Sequence, residues 1–279
     1  MINYNGNLHN KSSLDLINRA FLFGDSVFET IKIVNNKICF WEDHYLRLMS
    51  SLRIIRIEIP ILYTPEYFED QILKTISRVS INFSGRVRLS IFRSGEGLYT
   101  PKSMEPTFII HCFQQDKLFF EIESSSSYKV DLFKDYYVND NLLSNLKTNN
   151  KIINVLAAIY SKENEIDNCI ILNSKKNVVE FLNGNLFLIK GNTIKTPPLS
   201  SGCLRGVMRK KIIDYIKFFD KLTLKEIDIS PFELLSADEI WVTNSIKGII
   251  PVTDYRKKSL SNTIAAEFVN FLNKKIFEN

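Results

Sequence analysis

From Arg86 to Phe92 the chain alternates as far as Ile91: Val87, Leu89 and Ile91 are apolar, while Arg86, Arg88 and Ser90 are polar. A period of two puts one set on each face of a strand, so this segment reads as a half-buried strand. Elsewhere the period becomes helical. Tyr45, Leu48, Met49 and Leu52 fall at i, i+3, i+4 and i+7, which predicts a helix over 41–53 with Glu42 and Asp43 in its first turn. Pro65 after Thr64 opens a second helix carrying Phe68, Ile72 and Ile76. Residues 25–40 read as a hairpin. Val27, Glu29, Ile31 and Ile33 lie on one side, Asn35-Asn36 makes the turn, and the chain returns through 38–40. Another strand is predicted over 107–112.

The second half repeats the mixture. Ile152, Val155, Leu156, Ile159 and Tyr160 have helical spacing. Two hairpins pair 169–172 with 178–181 and 186–189 with 193–196. A glycine-flanked turn, 200–206, leads into a helix with Val207, Ile212, Ile213 and Ile216. A strand over 239–243 and a helix through Ile264, Phe268, Phe271 and Leu272 complete the chain. Sheet and helix mix in both halves, so the class is α/β (α+β mixed) with two domains. The polar stretch 113–126, with its serine run Ser124 to Ser127, sets the boundary between 1–118 and 119–279.

Composition excludes several classes. The chain has 279 residues, 45% hydrophobic and 24% charged, which is globular rather than disordered. No apolar run approaches the roughly 18 residues of a membrane span. The first residues lack a basic segment and an apolar segment, so no signal peptide is expected. The four cysteines are scattered without a C-x-x-C pair, which argues against a metal site or disulfide framework and for a cytoplasmic location. The net charge of +5 is spread along the chain, so nucleic acid is not an expected partner.

Four positions stand out for chemistry. Lys147 is followed by Thr-Asn-Asn and then an apolar helix. Desolvation there would lower its pKa and make it a Schiff-base nucleophile, although a surface lysine is the commoner case. Glu180 ends the run Asn177-Val178-Val179; it either meets a cationic ring nitrogen or caps an exposed hairpin. The turn Leu204-Arg205-Gly206-Val207-Met208 opens a helix whose backbone N–H groups suit a phosphate. Arg47 lies off the apolar stripe of its helix and reads equally as part of a solvated face.

These pieces, in this order, resemble the pyridoxal-phosphate enzymes of aminotransferase class IV, the fold-type IV group. That group includes branched-chain and D-amino-acid aminotransferases and 4-amino-4-deoxychorismate lyases. The likeness runs through Arg19-Ala20-Phe21-Leu22-Phe23-Gly24-Asp25-Ser26-Val27-Phe28-Glu29-Thr30, His44-Tyr45-Leu46-Arg47-Leu48, Leu146-Lys147-Thr148-Asn149, Val179-Glu180 with Asn185-Leu186-Phe187, and Thr196-Pro197-Pro198-Leu199. It continues through Leu204-Arg205-Gly206-Val207-Met208-Arg209 and Ala237-Asp238-Glu239 to Pro251-Val252.

The resemblance implies a D-amino-acid-aminotransferase-like fold, with a C-terminal domain of mixed, barrel-like sheet carrying the cofactor lysine. It implies pyridoxal 5'-phosphate, a small-molecule amino substrate and a homodimer. Lys147 would bond the cofactor and shuttle the proton. Glu180 would hold the pyridine nitrogen protonated. Arg47, the backbone of Val207 and Met208, and the Ser245 hydroxyl would hold the phosphate. Phe28, Tyr99 and Asn244 would lie on the substrate side.

Several positions depart from the family pattern. Phe181-Leu182 replaces a small Gly-Ser pair, and Met208 replaces a threonine. Ile152 stands where branched-chain enzymes have a tyrosine. Phe28 stands where D-amino-acid enzymes have one, and Ser94 to Tyr99 contains no Arg-x-His. Gly24 to Phe28, Gly97 to Pro101 and Thr243-Asn244-Ser245 look most like the lyase branch, although Leu98 stands where that branch often has an arginine. The readings are therefore a lyase releasing pyruvate and 4-aminobenzoate for folate synthesis, a 2-oxoglutarate-dependent transaminase, and a cofactor-binding protein without catalysis.

Overall fold

The computed structural model describes residues 1–10, 18–115, 118–122 and 127–277. Most of the serine run that marks the expected boundary, Ser124 to Ser126, lies outside them. The chain divides into two units, 1–118 with 147–150, and 119–146 with 151–279. Lys147 to Asn150, placed by chain order after the boundary, cluster with the first unit. The cause is a bridge between Val27 and Thr148 and the hydrogen bonds beside it.

In the first unit, β1 (Ile2–Tyr4), β2 (Asn7–His9), β3 (Ser26–Val34), β4 (Lys37–Ile38), β5 (Gly85–Arg93) and β6 (Pro106–Gln114) form one antiparallel sheet, ordered β2-β1-β6-β5-β3-β4. Asn35 and Asn36 both adopt positive φ, 47° and 63°, as a two-residue hairpin turn of mirror-image type demands. Helix α1 (Arg19–Phe23) precedes β3. Helices α2 (Trp41–Ile54) and α3 (Pro65–Ile76) cover the apolar face of the sheet. Thr64 caps α3 by accepting from the Tyr67 N–H, and Pro65 sits where a missing N–H costs nothing. Val27, Ile31, Val87, Leu89 and Ile91 meet Leu48, Leu52, Phe68 and Ile72 in one core.

The second unit is built on β7 (Lys129–Val138), β8 (Asn168–Asn173), β9 (Val178–Phe181), β10 (Gly184–Lys190), β11 (Thr193–Thr196), β12 (Thr223–Glu226), β13 (Glu239–Asn244), β14 (Gly248–Pro251), β15 (Asp254–Tyr255) and β16 (Lys258–Ser259). The sheet is mixed and branches at β10, which pairs with β9, β11 and β13. Helices α4 (Ile152–Glu163), α5 (Val207–Tyr215) and α6 (Thr263–Phe277) accompany it.

The α4 stripe is turned from the one the spacing suggests. Ile153, Leu156, Ala157 and Tyr160 pack on Phe133, Cys169 and Ile171, while Ile152, Val155 and Ile159 are exposed. Apolar residues occupy more than one side of this helix, so spacing alone did not choose the buried side. The buried Glu239 carboxylate accepts from the Ile264 and Ala265 N–H groups and from the Trp241 indole, anchoring the start of α6. Among the described residues no helix is long and apolar enough to cross a membrane.

Candidate active site

In the first unit the site begins with an acid where none belongs. Glu29 lies on the same face of β3 as Val27 and Ile31, toward α2, and is 1% exposed. Two residues of α2, three apart and therefore on one helix face, reach it. Arg47 Nε donates to Glu29 Oε1 at 2.7 Å and Arg47 Nη2 to Oε2 at 2.5 Å. His44 Nδ1 lies 2.6 Å from the same Oε2. Burial pushes the Glu29 carboxyl up, but the Arg47 charge and the bonds to Arg47 and His44 outweigh it and bring it down to about 2. Burial lowers the His44 pKa against the opposing pull of Glu29. The imidazole is thus neutral at pH 7, with its proton on Nδ1 facing a carboxylate that can only accept. Arg47 is buried and ion-paired rather than part of a solvated face.

Lys147 sits beside β3. Its carbonyl accepts from the Phe28 N–H at 2.9 Å, and its Nζ lies 4.6 Å from the centroid of the Phe28 ring. Arg88, from the polar face of β5, lies 3.6 Å from the same centroid and donates to Asn149 Oδ1 at 2.9 Å. Two cations therefore share one phenyl ring, an arrangement favoured by the ring quadrupole.

The glycine loop after β5 is tethered by an arginine pair. Asp25 Oδ2 accepts from Arg19 Nε and Arg93 Nε, each at 2.9 Å. Arg19 Nη1 in turn donates to the carbonyls of Gly97 and Leu98. Tyr99, on that loop, is 90% exposed and touches the Phe23 ring.

In the second unit Glu180 is not an exposed hairpin end. It is buried on β9, and its Oε2 accepts from the Leu204 N–H at 2.8 Å and from Asn185 Nδ2 at 3.4 Å. The Asn185 amide also donates to the Leu204 carbonyl at 2.8 Å. A Cβ at Gly206 would overlap Asn185 Oδ1, so only glycine fits there. Gly206 is also the N-cap of α5 and supplies no side-chain bond to the first N–H groups of that helix, those of Val207 and Met208. Both side chains are buried, which leaves the backbone as their contribution at this helix start. Asn145 holds the preceding turn by donating to the carbonyls of Leu199 and Cys203. Ser245 is partly exposed in the turn between β13 and β14. Asn244 Oδ1 accepts from the N–H groups of Ile246 and Lys247, so its side chain shapes that turn.

Residues 26–255 match the family amino-transferase class IV. The chain belongs to aminotransferase class IV. It is 27% identical over 246 residues to the aminodeoxychorismate lyase of Vibrio harveyi, covering 87% of this chain and 88% of the relative. It is 26% identical over 260 residues to a D-alanine aminotransferase of Bacillus licheniformis, covering 90% and 86%. Among solved structures, the branched-chain aminotransferase of the archaeon Thermoproteus uzoniensis with norvaline matches at a TM-score of 0.88 and 21% identity, covering 99% of this chain and 94% of that one. The fold is that of the fold-type IV enzymes, and class IV enzymes depend on pyridoxal phosphate.

Each unit carries groups of the kind that cofactor takes: the first a primary amine at Lys147 and a buried guanidinium at Arg47, the second a buried carboxylate at Glu180 and a helix start without a side-chain cap. Sequence reasoning passed over Glu29, Arg88 and Asn185 as site residues. The signal for Glu29 was available, since it is the one charged residue among Val27, Ile31 and Ile33 on its side of the hairpin. The alternation of β5 marks Arg88 only as a polar-face residue.

Proposed function

We propose that this class IV enzyme is a 4-amino-4-deoxychorismate lyase, releasing pyruvate and 4-aminobenzoate, a folate precursor. Pyridoxal phosphate, when bound, supplies the electron sink that lets a proton leave the amine-bearing carbon of the substrate. Lys147 would bond the cofactor, and its Nζ would take that proton. Loss of that proton with expulsion of the neighbouring enolpyruvyl oxygen, which leaves with the C–O electron pair, makes the ring aromatic, and the released enolate takes up one proton at its methylene carbon to become pyruvate. Glu180 keeps the pyridine nitrogen protonated. Arg47, the N–H groups of Val207 and Met208 and the Ser245 hydroxyl hold the phosphate.

The observation that carries the choice of reaction is the surroundings of Lys147. They include a phenyl ring without a hydroxyl, Phe28, and a guanidinium, Arg88. A tyrosine stands at the Phe28 position of D-amino-acid enzymes, and branched-chain enzymes have one where this chain has Ile152, which is exposed on α4. An apolar ring beside a cation suits a ring substrate that carries carboxylates. The Vibrio harveyi relative, matched over most of both chains, supports the same reading. The exposed side of α4, with Ile152, Val155 and Ile159, supports a homodimer.

The test is one holoenzyme in two assays. Pyruvate release from aminodeoxychorismate, with no pyridoxamine phosphate accumulating, is the expected result. Accumulation of pyridoxamine phosphate with ordinary amino acids, transfer to 2-oxoglutarate and no pyruvate release would replace the lyase by a transaminase.

A further inference from the structure

An arginine that holds a phosphate must present its fork in one orientation, and a long flexible side chain does not do so unaided. Its many rotatable bonds would otherwise leave the Arg47 fork free to turn. Here two of its N–H donors are taken edge-on by one carboxylate, at 2.7 and 2.5 Å. That fixes the plane of the guanidinium and not only its position. The carboxylate belongs to Glu29, in the middle of β3, whose backbone is paired in register with β5 opposite Leu89. The strand is therefore the rigid reference, and Arg47 is the side chain being held.

His44 completes the arrangement. It lies on α2 three residues before Arg47 and approaches Glu29 Oε2 at 2.6 Å through Nδ1. Its ring is fully buried, and its Nε2 has no hydrogen-bond partner among the described residues. An imidazole that moves protons in catalysis needs contacts at both nitrogens, one to the reacting group and one to an orienting group. Among the described residues this one hydrogen-bonds through Nδ1 only, and that bond holds the Glu29 carboxylate toward Arg47.

We propose that Glu29 and His44 are the positioning residues of the phosphate-binding Arg47, with His44 acting through Nδ1 alone. This rests on the reading that Arg47 holds the cofactor phosphate. A purely electrostatic role for Glu29 would have the opposite consequence. A carboxylate beside Arg47 repels a phosphate dianion, so its neutralisation would tighten binding if orientation did not matter.

The experiment is a titration of the full chain, stripped of cofactor, with pyridoxal phosphate, followed by absorbance. The proteins are wild type, Glu29→Gln, His44→Asn, His44→Leu, Arg47→Ala and the double variant Glu29→Gln/Arg47→Ala. Glutamine turns an amide donor toward the donors of Arg47 or His44, so Glu29→Gln is expected to weaken binding about tenfold, the scale of one hydrogen bond to a charged group. Asparagine can supply a donor where Nδ1 stood. His44→Asn is therefore expected to bind within about twofold of wild type, while His44→Leu weakens binding several-fold, through lost orientation of the charge-assisted pair. In the Arg47→Ala background Glu29→Gln is expected to add nothing.

Equal or tighter binding by Glu29→Gln overturns the proposal, and so does His44→Asn binding as weakly as His44→Leu. Additive effects of Glu29→Gln and Arg47→Ala overturn it too. Unchanged affinity in Arg47→Ala refutes instead the assignment of Arg47 to the phosphate. If Glu29→Gln does not fold, the His44 pair decides, because both variants keep the Glu29–Arg47 pair. The melting temperature of the cofactor-free variants separates lost stability from lost orientation, since a merely structural role lowers melting without moving the affinity of the folded fraction.

Discussion

Replacing Asn185 by leucine tests whether the Glu180 carboxylate is oriented by the turn that leads into α5. Leucine keeps the branched outline of asparagine but is larger, so the bonds lost with the amide set a lower bound on the destabilisation. Asn185 is 3% exposed, and water cannot readily replace it. Two bonds disappear, one to the Leu204 carbonyl at 2.8 Å and a longer one to Glu180 Oε2 at 3.4 Å. Each contributes about 0.5–1.5 kcal/mol, the longer one toward the low end, and the part-buried Leu204 carbonyl left without its donor costs about 1–3 kcal/mol more. The total is about 2–5 kcal/mol. For a chain of this size each kcal/mol moves the melting temperature by roughly 2–4 °C, so the variant should melt roughly 4–20 °C lower. Glu180 keeps its bond from the Leu204 N–H, so the cofactor should still bind, but the carboxylate loses one of its restraints and turnover should fall. The assay is differential scanning fluorimetry with and without pyridoxal phosphate, paired with the pyruvate and amino-transfer assays. A melting temperature within 1–2 °C of wild type, outside the worked range, or full turnover from a destabilised protein, would refute the argument that this amide orients Glu180.

Borohydride reduction of the holoenzyme followed by peptide mapping should put the pyridoxyl group on Lys147; an adduct on Lys151 would sink that assignment. Glu180→Gln should bind cofactor with nearly normal affinity yet slow both pyruvate release and any half-transamination, because an uncharged partner no longer holds the pyridine nitrogen protonated. Unchanged rates in both assays would return Glu180 to a structural role. Stability should also fall in acid. His44 has a folded pKa below its ordinary 6.5, and Glu29 one lowered from 4.5 to about 2. In both cases the unfolded chain binds the proton first, so stability is whole above about pH 6.5, declines below it through His44, and declines further between about 4.5 and 2 through Glu29. Urea unfolding at pH 7.5, 5.5 and 4 should show the loss between the first two values shrinking in His44→Asn; identical losses in wild type and variant would contradict it.

Much of this protein is written locally. The alternation of 86–92 became β5 with Val87, Leu89 and Ile91 fully buried, and Thr64-Pro65 became the start of α3 with Phe68, Ile72 and Ile76 inside. Periodicity and capping act between neighbours, so a single stretch of chain determines them. The motif residues Lys147, Glu180 and Arg47 were equally legible, through their resemblance to class IV enzymes. Their surroundings were not. The partner of Arg47 is 18 residues away on β3, and Glu180 meets the N–H of Leu204 24 residues later, both chosen by strand register and helix rotation. The same distinction explains α4, whose spacing announced an amphipathic helix while Ala157, and not Ile152, faces the sheet. A sequence determines which residues share a face, because that depends on the repeat of one element. Only the tertiary structure decides what that face meets, because that depends on how separately specified elements pack together.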